Sequence, residues 1–146
     1  MYRRWKNVWV WFASDCADEE VEALQRMKRI LLADDEENLR MLVHTTLEDP
    51  DYEIHEAPDG AKALQLAREL RPDLVLLDWM MPVMTGIDAA RELRSDPETA
   101  GIPIVMLTAK GQERDRSQAA DLGLQGYLVK PFSPLELLDK VQALLM

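Results

Sequence analysis

From residue 27 onward the chain alternates between short apolar runs and longer stretches with helical periodicity. This pattern predicts strands at Arg29–Ala33, Tyr52–Ala57, Asp73–Leu77, Pro103–Leu107 and Gly126–Val129. Between and after them the pattern predicts helices over Glu36–Glu48, Pro58–Leu70, Gly86–Ser95, Gln112–Leu122 and Pro134–Leu145. The first helix places Leu39, Leu42, Val43, Thr46 and Leu47 on one stripe, and the last does the same with Leu135, Leu138, Val141 and Leu145. Ser133 stands where an N-cap belongs, with Glu136 three residues on. Strands alternating with helices in this way predict an α/β fold, a doubly wound parallel sheet of five strands with helices on both faces.

The first 26 residues differ. Trp5, Trp9 and Trp11 lie in a basic, aromatic stretch, and an acidic segment with a helical pattern follows over Ser14–Arg26, capped by Ser14 or Asp15. The expected division is therefore an N-terminal extension, 1–26, disordered or extra translated sequence, and one domain over 27–146. The alternative for the extension is a partner-binding arm or an added helix.

Charge narrows the partners. The chain carries 17 Lys and Arg against 27 Asp and Glu, a formal net charge of −10. That argues against nucleic acid as a direct partner, which would call for clustered Lys and Arg, and favours basic surfaces or cations. A single cysteine, Cys16, rules out an internal disulfide, fits a cytoplasmic protein and has no neighbour in sequence that would activate it. No apolar stretch reaches bilayer length, and Val8–Ala13 is short for a signal-peptide core, so no membrane association is expected.

The chemistry concentrates at the strand ends, where parallel sheets gather function. The first strand ends in Asp34-Asp35-Glu36-Glu37, the third in Asp78, the fourth in Thr108-Ala109 and the fifth in Lys130-Pro131. Glu36 and Glu37 suit a helix N-terminus. Asp34, Asp35 and Asp78 would share one crevice, where two carboxylates about 4 Å apart repel by roughly 4 kcal/mol at an effective dielectric of about 20. Lys130 supplies one counter-charge. A divalent cation resolves the remainder, and an all-oxygen ligand set suits Mg²⁺. Asp78 beside such a cation is a candidate nucleophile forming an acyl phosphate, with Thr108 and Lys130 for the phosphoryl oxygens.

Together DDEEN after the first strand, LLDWMMPVMTG around the third, TA after the fourth and KPF after the fifth resemble the receiver domain of bacterial two-component response regulators. The spacings agree: 43 residues from Asp35 to Asp78, 30 more to Thr108 and 22 more to Lys130. The resemblance covers residues 27–146, and Met27 stands where such a domain normally begins. It implies a flavodoxin-like strand order of 2-1-3-4-5. It further implies that Asp78 accepts a phosphoryl group from phosphohistidine on a histidine kinase or histidine phosphotransferase. Asp35, Asp78 and the Met80 carbonyl would ligate Mg²⁺ (Mn²⁺ as a substitute), with Asp34 acting largely through water. Thr108, Ala109 and Lys130 would hold the phosphoryl oxygens, and the Lys130–Pro131 peptide would be cis. Thr108 and Tyr127 would form the switch. The face of the fourth helix, fifth strand and fifth helix, including Arg114, Arg116 and Gln118, would meet a downstream protein or a second copy in a homodimer. Phosphoryl lifetime would depend partly on Met80 and Lys110.

The competing readings are weaker. A phosphohydrolase working through an aspartyl-phosphate, similar to haloacid dehalogenase enzymes, needs a second aspartate two residues past the nucleophile, and that position is Met80. An FMN binder would need a phosphate loop after the first strand, where DDEE repels phosphate. A purely structural module would not keep every acid and the lysine. No turnover enzyme is expected, only self-phosphorylation from phosphodonors and self-dephosphorylation. No output domain follows Met146, so the expectation is a stand-alone regulator, a phosphorelay intermediate or a fragment. Met80, Met81 and Met84 are expected to cover the loop after Asp78, with Trp79 partly exposed, and His44 and His55 to serve surface or packing roles.

Overall fold

A computed structural model of the chain describes residues 2–5, 8–11, 27–109 and 120–145. Two short strands, β1 (Tyr2–Trp5) and β2 (Val8–Trp11), are followed by β3 (Lys28–Ala33), α1 (Glu37–Thr46), β4 (Tyr52–Ala57), α2 (Gly60–Leu70), β5 (Leu74–Asp78), α3 (Gly86–Ser95), β6 (Ile104–Ala109), β7 (Gly126–Lys130) and α4 (Pro134–Leu145). β3 to β7 form one sheet in the spatial order β4-β3-β5-β6-β7, with every pair parallel. Counted from β3 this is 2-1-3-4-5, the expected order.

Alternation along the central strands builds two cores. Leu31, Ala33, Val75, Leu77, Ile104 and Met106 face α2 and α3, whose contributions include Ala63, Leu64, Ala67, Ala90 and Leu93. Ile30, Leu32, Leu74, Leu76, Val105 and Leu107 face the other way, onto Val43 and Leu47 of the first helical segment and Leu137 and Val141 of α4. All five residues of β5 are buried, which is why the sequence reads there as an unbroken apolar run ending in a carboxylate.

The differences from the sequence reading have local causes. β5 includes Asp78, which pairs with Leu107 of β6, and β6 runs on through Thr108 to Ala109, which pair with Val129 and Lys130 of β7. α1 is shorter than Glu36–Glu48, with Leu47 as its C-cap, and α2 begins at Gly60 because Asp59 caps it by accepting from the Lys62 amide. Of the first predicted stripe, Val43 and Leu47 are buried but Leu42 is exposed. In α4, Leu135 is 71% exposed, and Leu137, which the predicted stripe omitted, is buried instead. The buried face runs through Leu137, Leu138, Val141, Leu144 and Leu145. Ser133 caps α4, its hydroxyl accepting from the Glu136 amide at 3.1 Å.

At the N-terminus β1 and β2 pair antiparallel, Tyr2 opposite Trp11 and Trp5 opposite Val8, as a separate two-stranded sheet that the sequence reading did not anticipate. The predicted helix over 14–26 lies outside the described residues. So does most of the one over 112–122, of which residues 120–122 form a single 3₁₀ turn. Arg114, Arg116, Gln118 and Lys110 fall in that undescribed stretch. Among the described residues no helix is long and apolar enough to cross a membrane.

Candidate functional site

The carboxyl ends of β3, β5, β6 and β7 meet at one edge of the sheet. Asp34 directly follows β3 and is fully buried. Its amide donates to the Ala57 carbonyl at 3.1 Å, its carbonyl accepts from Arg40 Nη1 at 2.7 Å, and its Oδ1 accepts from the Glu36 amide at 2.8 Å. With backbone and one oxygen tied down, Oδ2 is left for Lys130, whose Nζ donates to it at 2.8 Å. The same ammonium lies 3.2 Å from Asp78 Oδ1. Asp35 is exposed, yet Asp34, Asp35 and Asp78 each place a carboxylate oxygen within 4.8 Å of the others.

Three carboxylates against one ammonium leave the cluster short of positive charge. Burial, reinforced by the charge of Asp34 and opposed by Lys130, pushes the Asp78 carboxyl up from its ordinary 3.8 to about 7. Burial works against the Lys130 ammonium too, but its hydrogen bond to Asp34 and the charges of Asp34 and Asp78 outweigh that and raise its pKa. An all-oxygen donor set with surplus negative charge fits a hard divalent cation. The Lys130–Pro131 peptide is cis, and the next residue, Phe132, is buried.

The loop after Asp78 is held at several points. The Trp79 amide donates to the Leu107 carbonyl and the Gly86 amide to the Trp79 carbonyl, both at 2.9 Å. A side chain at Gly86 would run into the Asp78 carbonyl oxygen, and one at Gly60 into the Met84 carbonyl oxygen. The absence of Cβ at both positions lets the starts of α2 and α3 close on the loop. Within the loop the Met84 amide bonds the Pro82 carbonyl at 2.7 Å, a three-residue turn that sets Val83 at φ 69° with its side chain 84% exposed. Trp79 is buried rather than partly exposed, Met81 is buried, Met84 is half-buried, and Met80 stands out in solvent rather than covering the loop.

The remaining predicted residues lie around this cluster. Thr108 is buried on β6 beside Asp78, opposite Val129, and Ala109 is opposite Lys130. Tyr127 is half-buried against the α3-side core. His44 and His55 lie away from the cluster, near Glu56 and Glu53 respectively.

Sequence reasoning missed Arg40, Gly60, Gly86 and Arg94. A glycine before a helical stripe hints at close packing, but nothing local marks the arginines. Arg94 donates to the carbonyls of Leu122 at 2.6 Å, Ala100 at 2.9 Å and Ile102 at 2.7 Å, joining the loops that lead into β6 and β7. Partners that are backbone carbonyls leave no trace in a sequence.

Comparison with known proteins agrees with this geometry. The family model described as the response regulator receiver domain matches residues 30–142. The DNA-binding dual master transcriptional regulator RpaA of Synechocystis is 45% identical over 119 residues, covering 82% of this chain and 49% of RpaA. Among solved structures, the chemotaxis response regulator CheY4 of Vibrio cholerae superposes with a TM-score of 0.75 at 36% identity, covering 81% of this chain and 98% of CheY4. The receiver domain of sensor histidine kinase PA1611 from Pseudomonas aeruginosa, with a magnesium ion coordinated in its active site cleft, gives 0.73 at 31% identity, covering 81% and 97%.

One expectation is overturned. The acidic charge argues against nucleic acid as a direct partner, yet RpaA, to which the chain is similar, is a DNA-binding regulator. The chain spans about half the length of the curated relatives it matches. Net charge describes the surface of these 146 residues and says nothing of contacts made through the rest of such a regulator. With the five-stranded order, the clustered strand ends and the match over residues 30–142 together, the chain belongs to the response regulator receiver domain family.

Proposed function

We propose that this domain accepts a phosphoryl group on Asp78 from phosphohistidine of a histidine kinase or histidine phosphotransferase, in a Mg²⁺-dependent reaction in the cytoplasm. The observation that carries this reading is Lys130 Nζ held between Asp34 Oδ2 and Asp78 Oδ1, with Asp35 completing the carboxylate cluster. Asp35, Asp78 and the Met80 carbonyl would hold the cation, with Asp34 behind them; Mn²⁺ has the same preference for oxygen and would substitute. When bound, the cation would neutralise charge on the phosphoryl oxygens.

The chain's own residues do the rest. An Asp78 carboxylate oxygen attacks phosphorus, the P–N bond to the donor imidazole breaks, and its electron pair leaves with the imidazole. Lys130 and the Ala109 amide meet the phosphoryl oxygens, and the Thr108 hydroxyl donates to one of them. Drawing Thr108 toward the phosphoryl group opens space on β6 for Tyr127 of β7, which changes the surface offered to a protein target or a second copy. The regulators it resembles suggest that this switch controls a transcriptional output on DNA. A phosphohydrolase reading has no support, since Met80 occupies the position where such an enzyme needs its acid.

Incubation with acetyl phosphate and Mg²⁺ should add one alkali-labile phosphoryl group, measured by intact mass, and Asp78→Asn should abolish it. Equal labelling of the Asn variant would sink the assignment. Thr108→Ala should still be labelled, but beryllofluoride should then shift the amide signal of Tyr127 far less than in the parent.

A further inference from the structure

The N-terminus carries the opposite charge to everything that follows it. Arg3, Arg4 and Lys6 precede the first acid, Asp15, and all 27 Asp and Glu lie from there onward. The same stretch holds three of the four tryptophans, with Tyr2 and Phe12 beside them. β1 and β2 pair Tyr2 with Trp11, Arg3 with Val10, Arg4 with Trp9 and Trp5 with Val8. Alternate residues of a strand share a face, so this register puts Tyr2, Arg4, Trp9 and Trp11 on one face and Arg3, Trp5, Val8 and Val10 on the other. Each face is mostly apolar, and each carries one arginine. The two strands form a sheet of their own, and a two-stranded hairpin gains little stability in water by itself.

We propose that this hairpin binds the surface of an anionic lipid bilayer and brings the rest of the chain to it. Tryptophan and tyrosine favour the headgroup layer, where a ring meets hydrocarbon and its N–H or O–H meets water. An arginine at that depth reaches lipid phosphate while its methylenes stay in the apolar layer. Basic residues beside a bilayer are drawn to anionic headgroups. The acidic remainder of the chain is repelled by the same surface, which turns the hairpin toward it. Lying in the interface needs no apolar run of bilayer length. A single-stranded nucleic acid would stack on the tryptophans and pair with the arginines, but it would leave Val8, Val10 and Phe12 in water. A lipid interface takes up aliphatic and aromatic residues alike.

The test floats the full chain with vesicles of phosphatidylcholine, alone or mixed equally with phosphatidylglycerol. The mixed vesicles should carry about tenfold more protein than phosphatidylcholine alone, and added salt should release it. Brominated acyl chains should quench part of the tryptophan fluorescence and spare Trp79, which is buried in the domain. Trp9→Ser with Trp11→Ser, and separately Arg3→Gln with Arg4→Gln, should each weaken binding to the mixed vesicles about tenfold. Both double variants should melt at the parent's temperature; if one melts early, quenching in the parent decides, and its absence overturns the proposal. No flotation with the mixed vesicles also overturns it, as does flotation that both double variants retain. Tighter binding of a single-stranded oligonucleotide than of the mixed vesicles overturns it in favour of nucleic acid. Tryptophan-dependent self-association without vesicle binding overturns it in favour of a second copy.

Discussion

Two residues carry unfavourable terms that can be measured. Val83 is a β-branched residue at φ 69°, a conformation that costs an L-residue roughly 1–2 kcal/mol. Glycine adopts it freely but adds about 0.5–1 kcal/mol of chain entropy to the unfolded state. Val83→Gly should therefore raise stability by up to about 1 kcal/mol, seen as a higher denaturation midpoint with an unchanged slope. Asp78 carries the second term. Its carboxyl, pushed up to about 7 from an ordinary 3.8 by burial and Asp34, keeps a proton in the folded chain that the unfolded chain releases. The stability from the neutral form is complete below about pH 4 and is lost as pH rises through 7. One unit of difference is worth about 1.4 kcal/mol, so the effect is on the order of a few kcal/mol. In a chelator, melting of the parent should fall relative to Asp78→Asn between pH 5 and 8. Parallel curves for the two proteins would refute this account.

Among the elements, α4 separates periodicity from packing. Leu135 and Leu137 are both leucines near its start, and the sequence stripe chose the first. In the fold Leu137 is buried against β5 and the first helical segment, and Leu135 faces solvent. A buried leucine truncated to alanine costs about 2–5 kcal/mol, whereas an exposed one changes stability by about 0.5 kcal/mol or less. Leu137→Ala should thus melt well below the parent and Leu135→Ala close to it. The strand ends teach a similar lesson. Asp78 continues its ladder opposite Leu107 of β6 and Thr108 opposite Val129 of β7, partners that lie tens of residues away in sequence.

At the scale of the whole molecule, the charge cluster links the sheet edge to a cation. A ligand that binds only the folded chain adds about 1.4 kcal/mol at ten times its dissociation constant. Millimolar Mg²⁺ should raise the melting temperature of the parent, and Asp35→Ala, which removes an exposed carboxylate while leaving the buried Asp34–Lys130 pair, should weaken that rise. A parent indifferent to Mg²⁺ would count against the cation site.

The order of strands and helices, the parallel sheet and the acids, hydroxyl and lysine at the strand ends were all legible in the sequence. Each is written locally: a run of aliphatics such as Leu74–Leu77 has to be buried on both faces, and a carboxylate that ends it stands out. Residues that act across the chain were not legible. Arg40 steadies the Asp34 backbone, Gly86 admits a helix start against the Asp78 carbonyl, Trp79 turns inward while Met80 turns out, and Arg94 ties three carbonyls together. Their partners are backbone atoms or neighbours on other elements, and only the packed chain brings those within bonding distance. Local pattern thus determines which elements form and which chemistry they carry, while tertiary packing decides which side chains face the site, because burial and hydrogen bonding are settled by whatever arrives from elsewhere in the chain.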